Sequence, residues 1–326
     1  MVRFGYKLMS EEHGPKALIE NARRAEKAGF DFVAISDHFH PWLKSHGHSP
    51  FAWSVLGAVA AQTSRIGIVT AVTCPILRYH PAIIAQAAAT IAVISGERFT
   101  LGLGAGERLN EHVVGAGWPA SPIRHEMLAE AIDITRLLWQ GGTQSYFGRH
   151  LKLESARVYD LPAHAPRILV AISGPRSAKI AAEKADGIFS TESDRRLLDI
   201  WKSCGGGAGP KYVEVAVCWA RTEDDALRIA HERFRFGALG WKVMAELPNV
   251  GNFEAASRFV RPQDIRDQIP CGPDVKRHAA AIQRAADAGF DHIVIIPAGP
   301  DQEGFFRFWE DSLRPAVAEY AESRPS

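Results

Sequence analysis

The chain has 326 residues, of which 46% are hydrophobic, so it can bury a large core, and its length suits one α/β barrel domain over residues 1–326. Its 38 basic and 37 acidic residues are balanced and form no block of one sign, which argues against a nucleic-acid or polyanion partner. The four cysteines, at positions 74, 204, 218 and 271, form no C-x-x-C pair, and no apolar segment has the length of a signal peptide or a membrane span. We therefore expect a cytoplasmic protein with reduced thiols and no membrane partner.

The first half of the chain alternates short apolar runs with helical stretches. This alternation predicts strands at 4–8, 31–35, 65–72 and 99–104, and helices at 15–28, 50–63, 81–94 and 123–139. Gly29 follows the first helix, as a glycine at a helix C-terminus does, and Pro81 occupies a favoured first-turn position. The run 65–72 is apolar on both faces, which is typical of a parallel strand covered on both sides.

The second half continues the alternation, with two interruptions. Strands are predicted at 168–172, 186–191, 212–219 and 292–296, and helices at 176–184, 223–236, 273–288 and 305–321. Residues 145–153 predict a hairpin within an insertion near 141–166, and 237–267 predict an insertion over a barrel mouth. Eight strand–helix units favour a (β/α)8 TIM barrel with insertions. A doubly wound open sheet is the alternative, which the lack of G-x-G-x-x-G after the first strand weakens.

The segment 36–42, S-D-H-F-H-P-W, directly follows an apolar strand. An acid, two imidazoles and an indole therefore arrive together at a strand's carboxyl end, where ligands bind in parallel α/β proteins. We interpret His38 and Trp42 as site residues for proton movement beside a flat ligand. The alternative is that His38 is a solvated loop histidine, or that Asp37 holds it for structure; neighbouring residues on an extended strand face opposite ways, so the two can serve different neighbours.

Two further segments follow predicted strands. At the exit of the fourth strand, Gly102, Gly104 and Gly106 permit close backbone approach to a ligand, and Glu107 adds a carboxylate at the same barrel end as His38. The alternative for Glu107 is a salt bridge to Arg108 or a helix cap. After the fifth strand, residues 173–177, S-G-P-R-S, precede a helix whose N-terminus can bind an anion such as a ligand phosphate, or simply form a tight turn. His40, His46 and His48 match no familiar zinc spacing, so we expect no metal.

Taken in order, these segments resemble the bacterial luciferase-like superfamily. More narrowly, they are similar to its deazaflavin branch, the F420-dependent glucose-6-phosphate dehydrogenases and F420-dependent secondary alcohol dehydrogenases. The resemblance spans nearly the whole chain and rests on the runs 36–42, 73–79 (T-C-P-I-L-R-Y), 104–111 (G-A-G-E-R-L-N-E) and 173–175 (S-G-P). It implies a TIM barrel, a homodimer and the cofactor F420, a 7,8-didemethyl-8-hydroxy-5-deazariboflavin derivative, at the carboxyl-terminal mouth.

The resemblance also implies residue roles. It places these residues around the cofactor: Asp37, His38, Ala71, Val72, Thr73, Gly106, Glu107, Asn110, Ser173, Gly174 and Pro175. A cis peptide is implied between Ala71 and Val72. His38, as a neutral imidazole, would take the hydroxyl proton of an alcohol while hydride goes to the deazaflavin, and Trp42 would hold the substrate oxygen. Glu107 would lie near the ring's N1 and O2 edge, and Glu11 matches a family acid near the site.

The substrate is less determined than the cofactor. Glucose-6-phosphate enzymes of the family bind the sugar phosphate through basic residues, two of which match Lys242 and Arg266, whereas the third position is Asp194. The runs 73–76 and 118–122 are closer to the secondary alcohol dehydrogenases. We therefore expect oxidation of a sugar phosphate or a secondary alcohol.

Three alternatives remain open for the function. An FMN-dependent luciferase-like monooxygenase would use the same barrel, and an F420H2-dependent reductase would pass hydride in the other direction. A ligand-binding or assembly protein could keep the barrel without turnover, although His38, Trp42 and Glu107 argue against this.

Overall fold

Eight parallel strands close into a barrel in the computed structural model, which describes residues 2–322. Together with the two strands of a separate hairpin, the strands in chain order are β1 (Arg3–Leu8), β2 (Phe32–Ile35), β3 (Gly67–Thr70), β4 (Phe99–Leu103), β5 (Gln144–Phe147), β6 (Lys152–Ala156), β7 (Arg167–Ala171), β8 (Gly187–Ser190), β9 (Lys211–Val217) and β10 (His292–Pro297). The order around the barrel is β1-β10-β9-β8-β7-β4-β3-β2, and β5 and β6 pair separately. The predicted TIM barrel is confirmed, and the open sheet is excluded.

Helices surround the barrel and cover its mouth. They are α1 (Pro15–Lys27), α2 (Ala52–Gln62), α3 (Pro81–Ser95), α4 (Arg108–Glu111), α5 (Ser121–Trp139), α6 (Pro175–Lys184), α7 (Arg195–Ser203), α8 (Glu223–Phe234), α9 (Trp241–Met244), α10 (Val250–Ser257), α11 (Pro262–Arg266), α12 (Val275–Ala288), α13 (Gln302–Phe308) and α14 (Arg314–Glu322). Short 3₁₀ helices lie at His112–Val114 and Arg235–Leu239, and a π-helical turn lies at Trp309–Leu313. Within residues 2–322, no helix has the length and apolarity of a membrane span.

Strand side chains alternate between the helices and the barrel interior. On β1, Tyr6 and Leu8 pack outward in the main hydrophobic core, between the strands and the helices. A separate apolar cluster fills the interior; its members are Phe32, Ala34, Val69, Ala71, Leu169, Phe189, Tyr212 and Val294. Gly5 is required on β1, because a Cβ there would overlap the ring of Phe32.

Two elements differ from the sequence prediction. The helix α7 was not predicted; Asp194 caps its N-terminus, and it buries an apolar face that includes Leu198 and Trp201. The closing helix begins three residues before the predicted position 305, because Asp301 caps it, and the π-helical turn interrupts it. Most other bounds differ from the predictions by one to three residues, as helix and strand ends commonly do.

The predicted third strand, 65–72, is shorter at both ends and ends at Thr70. Just after this strand, the peptide bond between Ala71 and Val72 is cis, as the family resemblance implies. The predicted hairpin is confirmed as the antiparallel pair β5–β6.

The segment 235–266, which we call the mouth cover, carries a 3₁₀ helix and the short helices α9 to α11. Glu246 attaches it to α5 and to the loop before α5, because its carboxylate accepts hydrogen bonds from Arg124 Nη2 and Trp118 Nε1, both at 3.0 Å. The Arg124 guanidinium also lies over the Trp118 ring, 4.0 Å from its centroid. The predicted insertion over the mouth therefore holds short helices and a defined attachment.

Candidate active site

The carboxyl ends of β1, β2 and β4 bring three titratable side chains together at the barrel mouth. Glu11 follows β1, His38 follows β2 and Glu107 follows β4. The Nδ1 atom of His38 lies 2.5 Å from Oε1 of Glu11, and its Nε2 atom lies 3.6 Å from Oε1 of Glu107. The predicted juxtaposition of imidazole and carboxylates at one barrel end is therefore present, because parallel strands end at the same rim.

The two carboxylates set the charge of His38. Burial alone would lower the pKa of the imidazole, but the charge and contact of Glu11, followed by the charge of Glu107, raise it above its ordinary value of 6.5. Burial alone would raise the pKa of Glu11, but the charge and contact of His38, with the charge of Lys7, lower it to about 2. The pair therefore favours an imidazolium facing a carboxylate, whereas the role as proton acceptor, which stays a prediction, requires the neutral imidazole.

Trp42 forms a wall of this site. Its ring meets the His38 ring edge to face, with centroids 4.8 Å apart and planes at 83°. On its other side it stacks on Phe236 of the mouth cover, with centroids 5.2 Å apart, and Phe253 packs at 59° to it. Among the described residues, no hydrogen bond is donated by the Trp42 indole N–H.

Asn110 connects the loops that carry His38 and Glu107. Its Oδ1 accepts hydrogen bonds from the backbone N–H groups of Phe39 and His40, at 2.8 and 2.7 Å. Its Nδ2 donates to Glu107 Oε1 at 2.6 Å. Because Asn110 is fully buried, this side chain fixes the separation of the two loops.

Asp37 faces away from His38, as the alternation of an extended strand predicts. Its Oδ2 accepts hydrogen bonds from Thr73 Oγ1 at 2.8 Å and Trp53 Nε1 at 3.1 Å. Its Oδ1 accepts from Tyr79 OH at 3.0 Å and Arg78 Nη2 at 3.2 Å. The structure uses Asp37 and Thr73 to join β2 to the segment after β3, and their role as cofactor ligands stays a prediction.

The glycines at the end of β4 and just after it allow close packing of the neighbouring backbone and side chains. A Cβ on Gly102 would overlap the Thr70 carbonyl, and a Cβ on Gly104 would lie 2.8 Å from Val72. These two glycines admit β3 and the segment that follows it, and close approach to a ligand stays a prediction. Gly106, at φ +73°, has the left-handed conformation that favours glycine, and it packs against Cys74.

The N-terminus of α6 is open at the mouth. Ser173 and Pro175 are exposed, and a Cβ on Gly174 would meet no atom within 4 Å. Ser177 accepts a hydrogen bond from the Ser173 N–H, which shapes the turn without closing it. The predicted anion position is thus accessible in this fold.

The three positions matched to the family's phosphate site differ in their contacts: two have ion-pair partners, and one is exposed. Arg266 Nη2 lies 3.2 Å from Glu223 Oε1, and the same carboxylate oxygen lies 2.7 Å from Arg277. Asp194 caps α7 and pairs with Arg196 at 2.7 Å. Lys242 is exposed on α9. Among residues 2–322, no cluster of three or more His, Cys, Asp or Glu side chains is suited to hold a metal.

Sequence reasoning missed several charged residues that support the site. Lys7 is buried on β1 and pairs with Glu214 of β9. Arg78 bridges Asp37 and Glu111, and burial raises the Glu111 pKa to about 8 despite Arg78. The available signal for Lys7 was its place near the carboxyl end of the first strand, between Tyr6 and Leu8, where a barrel buries side chains.

Comparison with known proteins places this geometry in a family. Residues 1–302 match the luciferase-like monooxygenase family. The F420-dependent glucose-6-phosphate dehydrogenase of Microbacterium testaceum is 35% identical over 97% of each chain. The F420-dependent hydroxymycolic acid dehydrogenase of Mycobacterium tuberculosis is also 35% identical, over 87% of this chain and 80% of that one.

Solved structures give the same placement. An F420-dependent secondary alcohol dehydrogenase in complex with an F420–acetone adduct superposes with a TM-score of 0.90 and 27% identity, covering 97% of this chain and 99% of that one. The F420-dependent tetrahydromethanopterin reductase of Methanopyrus kandleri, at 21% identity and a TM-score of 0.79, covers 97% of this chain and 99% of that one and shares the fold.

Proposed function

Because the chain belongs to the luciferase-like monooxygenase family, we propose that it is an F420-dependent dehydrogenase that takes hydride from the CH–OH carbon of an alcohol. The observation that carries this proposal is the imidazole of His38 held between Glu11 and Glu107 at the barrel mouth. A proton acceptor fixed beside an open indole donor is what removal of a hydroxyl proton requires. The identity of the cofactor is inferred from the relatives, which are F420-dependent enzymes.

The residues at the mouth fit a deazaflavin. The half-exposed Val72 and the backbone at Ala71 would offer a surface for the ring beside Gly106, and the buried Asn110 would act through the loops that it joins. Ser173, Gly174 and Pro175, at the open N-terminus of α6, would hold a phosphate of the cofactor. When bound, F420 supplies a two-electron hydride acceptor at carbon 5 of its ring.

The chain's own residues would handle the proton. His38 first loses a proton, since the two carboxylates favour its charged form. The resulting imidazole then accepts the hydroxyl proton of the alcohol, while Trp42 Nε1 donates a hydrogen bond to the same oxygen. Glu11 keeps the ring oriented through Nδ1, and Glu107 places negative charge beside Nε2.

The contacts of the basic residues favour an uncharged secondary alcohol over a sugar phosphate. Arg266 shares Glu223 with Arg277, and Asp194 places a carboxylate where a phosphate would need a cation. The side chains around Trp42 are apolar, including Met9, Leu109, Met244 and Phe253. Glucose-6-phosphate remains the second candidate because curated relatives carry that activity and Lys242 is free to bind a phosphate.

We also propose that the protein is a cytoplasmic homodimer. Ile83, Val93 and Ile94 on α3, with Phe51 before α2, expose large apolar side chains on one side of the barrel. The four cysteines are all free, as in a reducing compartment. Light scattering on the wild type and on Ile83→Glu tests the dimer: a monomeric variant supports this face, and an unchanged mass contradicts it.

A cofactor titration tests the proposal against its rivals. Binding of oxidised F420, followed by fluorescence, is expected to be much tighter than binding of FMN. Loss of the F420 visible absorbance with isopropanol supports the dehydrogenase. Tight FMN binding with oxygen consumption would identify a monooxygenase instead, and turnover only of reduced F420 with an enone or imine would identify a reductase.

A further inference from the structure

A buried lysine crosses the barrel interior beneath the candidate active site. The side chain of Lys7, on β1, is only 4% exposed. Its Nζ lies 2.5 Å from Oε1 of Glu214, on β9, and donates a hydrogen bond to the carbonyl of Ala71 at 2.9 Å. Since β10 separates β1 from β9, and β2 separates β1 from β3, both contacts reach across the interior and not along one strand pair.

This ion pair is not needed to fill the core. The interior around it is apolar, with Ala34, Val69, Leu169 and Val294 among its side chains. Removing two charges from water is costly, and apolar residues of similar volume commonly serve stability as well or better. A cation at this place therefore calls for a reason other than packing.

The position of the ammonium supplies that reason. Ala71 lies directly after β3, in the segment whose backbone would support the cofactor ring, and Lys7 is the side chain that binds its carbonyl. Lys7 also lies on the strand that leads to Glu11, whose carboxylate contacts His38. Lys7 thus contacts the backbone that would support the cofactor ring, and it lies below the Glu11–His38 pair.

We propose that Lys7, held by Glu214, is a positioning residue of the hydride-transfer site: its ammonium fixes the Ala71 carbonyl and presents a positive charge to the Glu11–His38 pair from below. This inference rests on the proposed function for the identity of the cofactor. The contacts of Lys7 with Glu214 and Ala71 are independent of it.

The charges around His38 determine the sign of the effect. Glu11 and Glu107 face the imidazole and favour its protonated form, whereas Lys7 disfavours it. The Asp37 carboxylate behind the strand is compensated by Arg78, which also pairs with Glu111. Removing the Lys7 charge therefore raises the pKa of His38, and removing the Glu214 charge leaves the ammonium uncompensated and lowers it.

The test compares Lys7→Met, Glu214→Gln and the double variant Lys7→Met/Glu214→Met. The pKa of His38 is followed by NMR of histidine-labelled protein without cofactor, with the signal assigned by comparison with His38→Asn. We expect the midpoint to rise in Lys7→Met and to fall in Glu214→Gln. The double variant removes both charges, so its midpoint should stay within about 0.5 of the wild type.

Cofactor affinity provides the second measurement. F420 affinity, measured by fluorescence, is expected to fall about tenfold in Lys7→Met and in the double variant, which is the scale of one charge-assisted hydrogen bond. Lys211→Met is the matched control, because Lys211 forms a 2.6 Å ion pair with Asp291 at the opposite end of β9. It should lose stability without a change in the His38 midpoint or in affinity.

Two results would overturn the proposal. If the His38 midpoint moved in the same direction in Lys7→Met and Glu214→Gln, or in neither, the charge of Lys7 would not act on the pair. If the double variant, which leaves no unpaired buried charge, bound F420 as the wild type does, the Ala71 contact would not position the cofactor. Failure of the wild type to bind F420 would instead reject the proposed function, and the NMR result would still stand.

Discussion

The Nδ1 atom of His38 lies 2.5 Å from a carboxylate oxygen of Glu11 that has no access to water. A carboxylate in this position orients the imidazole and raises its pKa above 6.5. Its proton must leave before the ring can act as a base, so the pair couples activity to pH. The first two predictions concern this coupling.

Alcohol oxidation should increase with pH until His38 is deprotonated. Glu11→Gln removes a negative charge beside the imidazole and therefore lowers the His38 pKa, so the acidic limb of the profile of kcat/KM should shift to lower pH. The maximal rate should fall about tenfold or more, because the ring loses its orientation. Steady-state rates from pH 5 to 10 measure both effects. A shift of the acidic limb to higher pH would show that Glu11 does not stabilise the imidazolium.

The same pair makes the free energy of unfolding depend on pH. The Glu11 pKa is lowered from 4.5 to about 2, so the carboxylate's contribution is complete above about pH 4.5 and disappears as the pH falls toward 2. The His38 pKa is raised above 6.5, so the imidazolium's contribution is complete below about pH 6.5 and disappears as the pH rises through the raised value. The pair should therefore stabilise the fold most between these limits, by at most about 3 kcal/mol.

Urea unfolding of the wild type and of Glu11→Gln at pH 5.5 and pH 9 measures this dependence. The difference in unfolding free energy should be larger at pH 5.5. An equal difference at both values would mean that the Glu11 contribution is independent of the charge of His38.

The Trp42 indole N–H should matter more for turnover than for folding. Trp42→Phe keeps the stack on Phe236 and loses only the donor, so we expect a fall in kcat of about tenfold with little change in Tm. Trp201→Phe is the control, since Trp201 is also buried and its Nε1 has no hydrogen-bond partner, but it lies on α7. Equal kinetic effects of the two variants would remove the role assigned to Trp42.

The attachment of the mouth cover should affect substrate binding. Glu246→Ala removes the acceptor of both Trp118 and Arg124, so the cover should open more readily and KM should rise about threefold to tenfold. Limited proteolysis within 112–120 should become faster. Glu183→Ala, which removes an exposed carboxylate on α6, should leave both measurements unchanged. A rise in KM without faster proteolysis would indicate a direct contact with the substrate.

Asn110 should be required to hold the two active-site loops together. Asn110→Ala removes three hydrogen bonds, leaves the backbone N–H groups of Phe39 and His40 without their acceptor, and should cost about 2 to 4 kcal/mol of stability. Asn249→Ala, which removes only a helix cap, should cost about 1 kcal/mol. Thermal unfolding of both variants measures the difference. Equal losses of stability in the two variants would show that Asn110 contributes no more to the fold than a helix cap does.

The sequence predicts the barrel and the meeting of His38 and Glu107 because both follow from local order, whereas Glu11 was implied by the family resemblance. Alternating strands and helices define the strand ends, and a parallel sheet brings those ends to one rim. The Lys7–Glu214 pair could not be predicted, because its partners are 207 positions apart and meet only when the barrel closes. The contact of Gly102 with the Thr70 carbonyl could not be predicted for the same reason, since it joins two strands.

The most direct test of the account is the fate of the hydrogen on the alcohol carbon. The enzyme is incubated with F420 and isopropanol deuterated at the carbinol carbon, and reduced F420 is analysed by mass spectrometry, with glucose-6-phosphate deuterated at its oxidised carbon in parallel. We predict transfer of one deuterium to carbon 5 of F420, at a rate that His38→Ala lowers by about a hundredfold or more. Reduction without deuterium, or full turnover in His38→Ala, would contradict hydride transfer at the imidazole–carboxylate site.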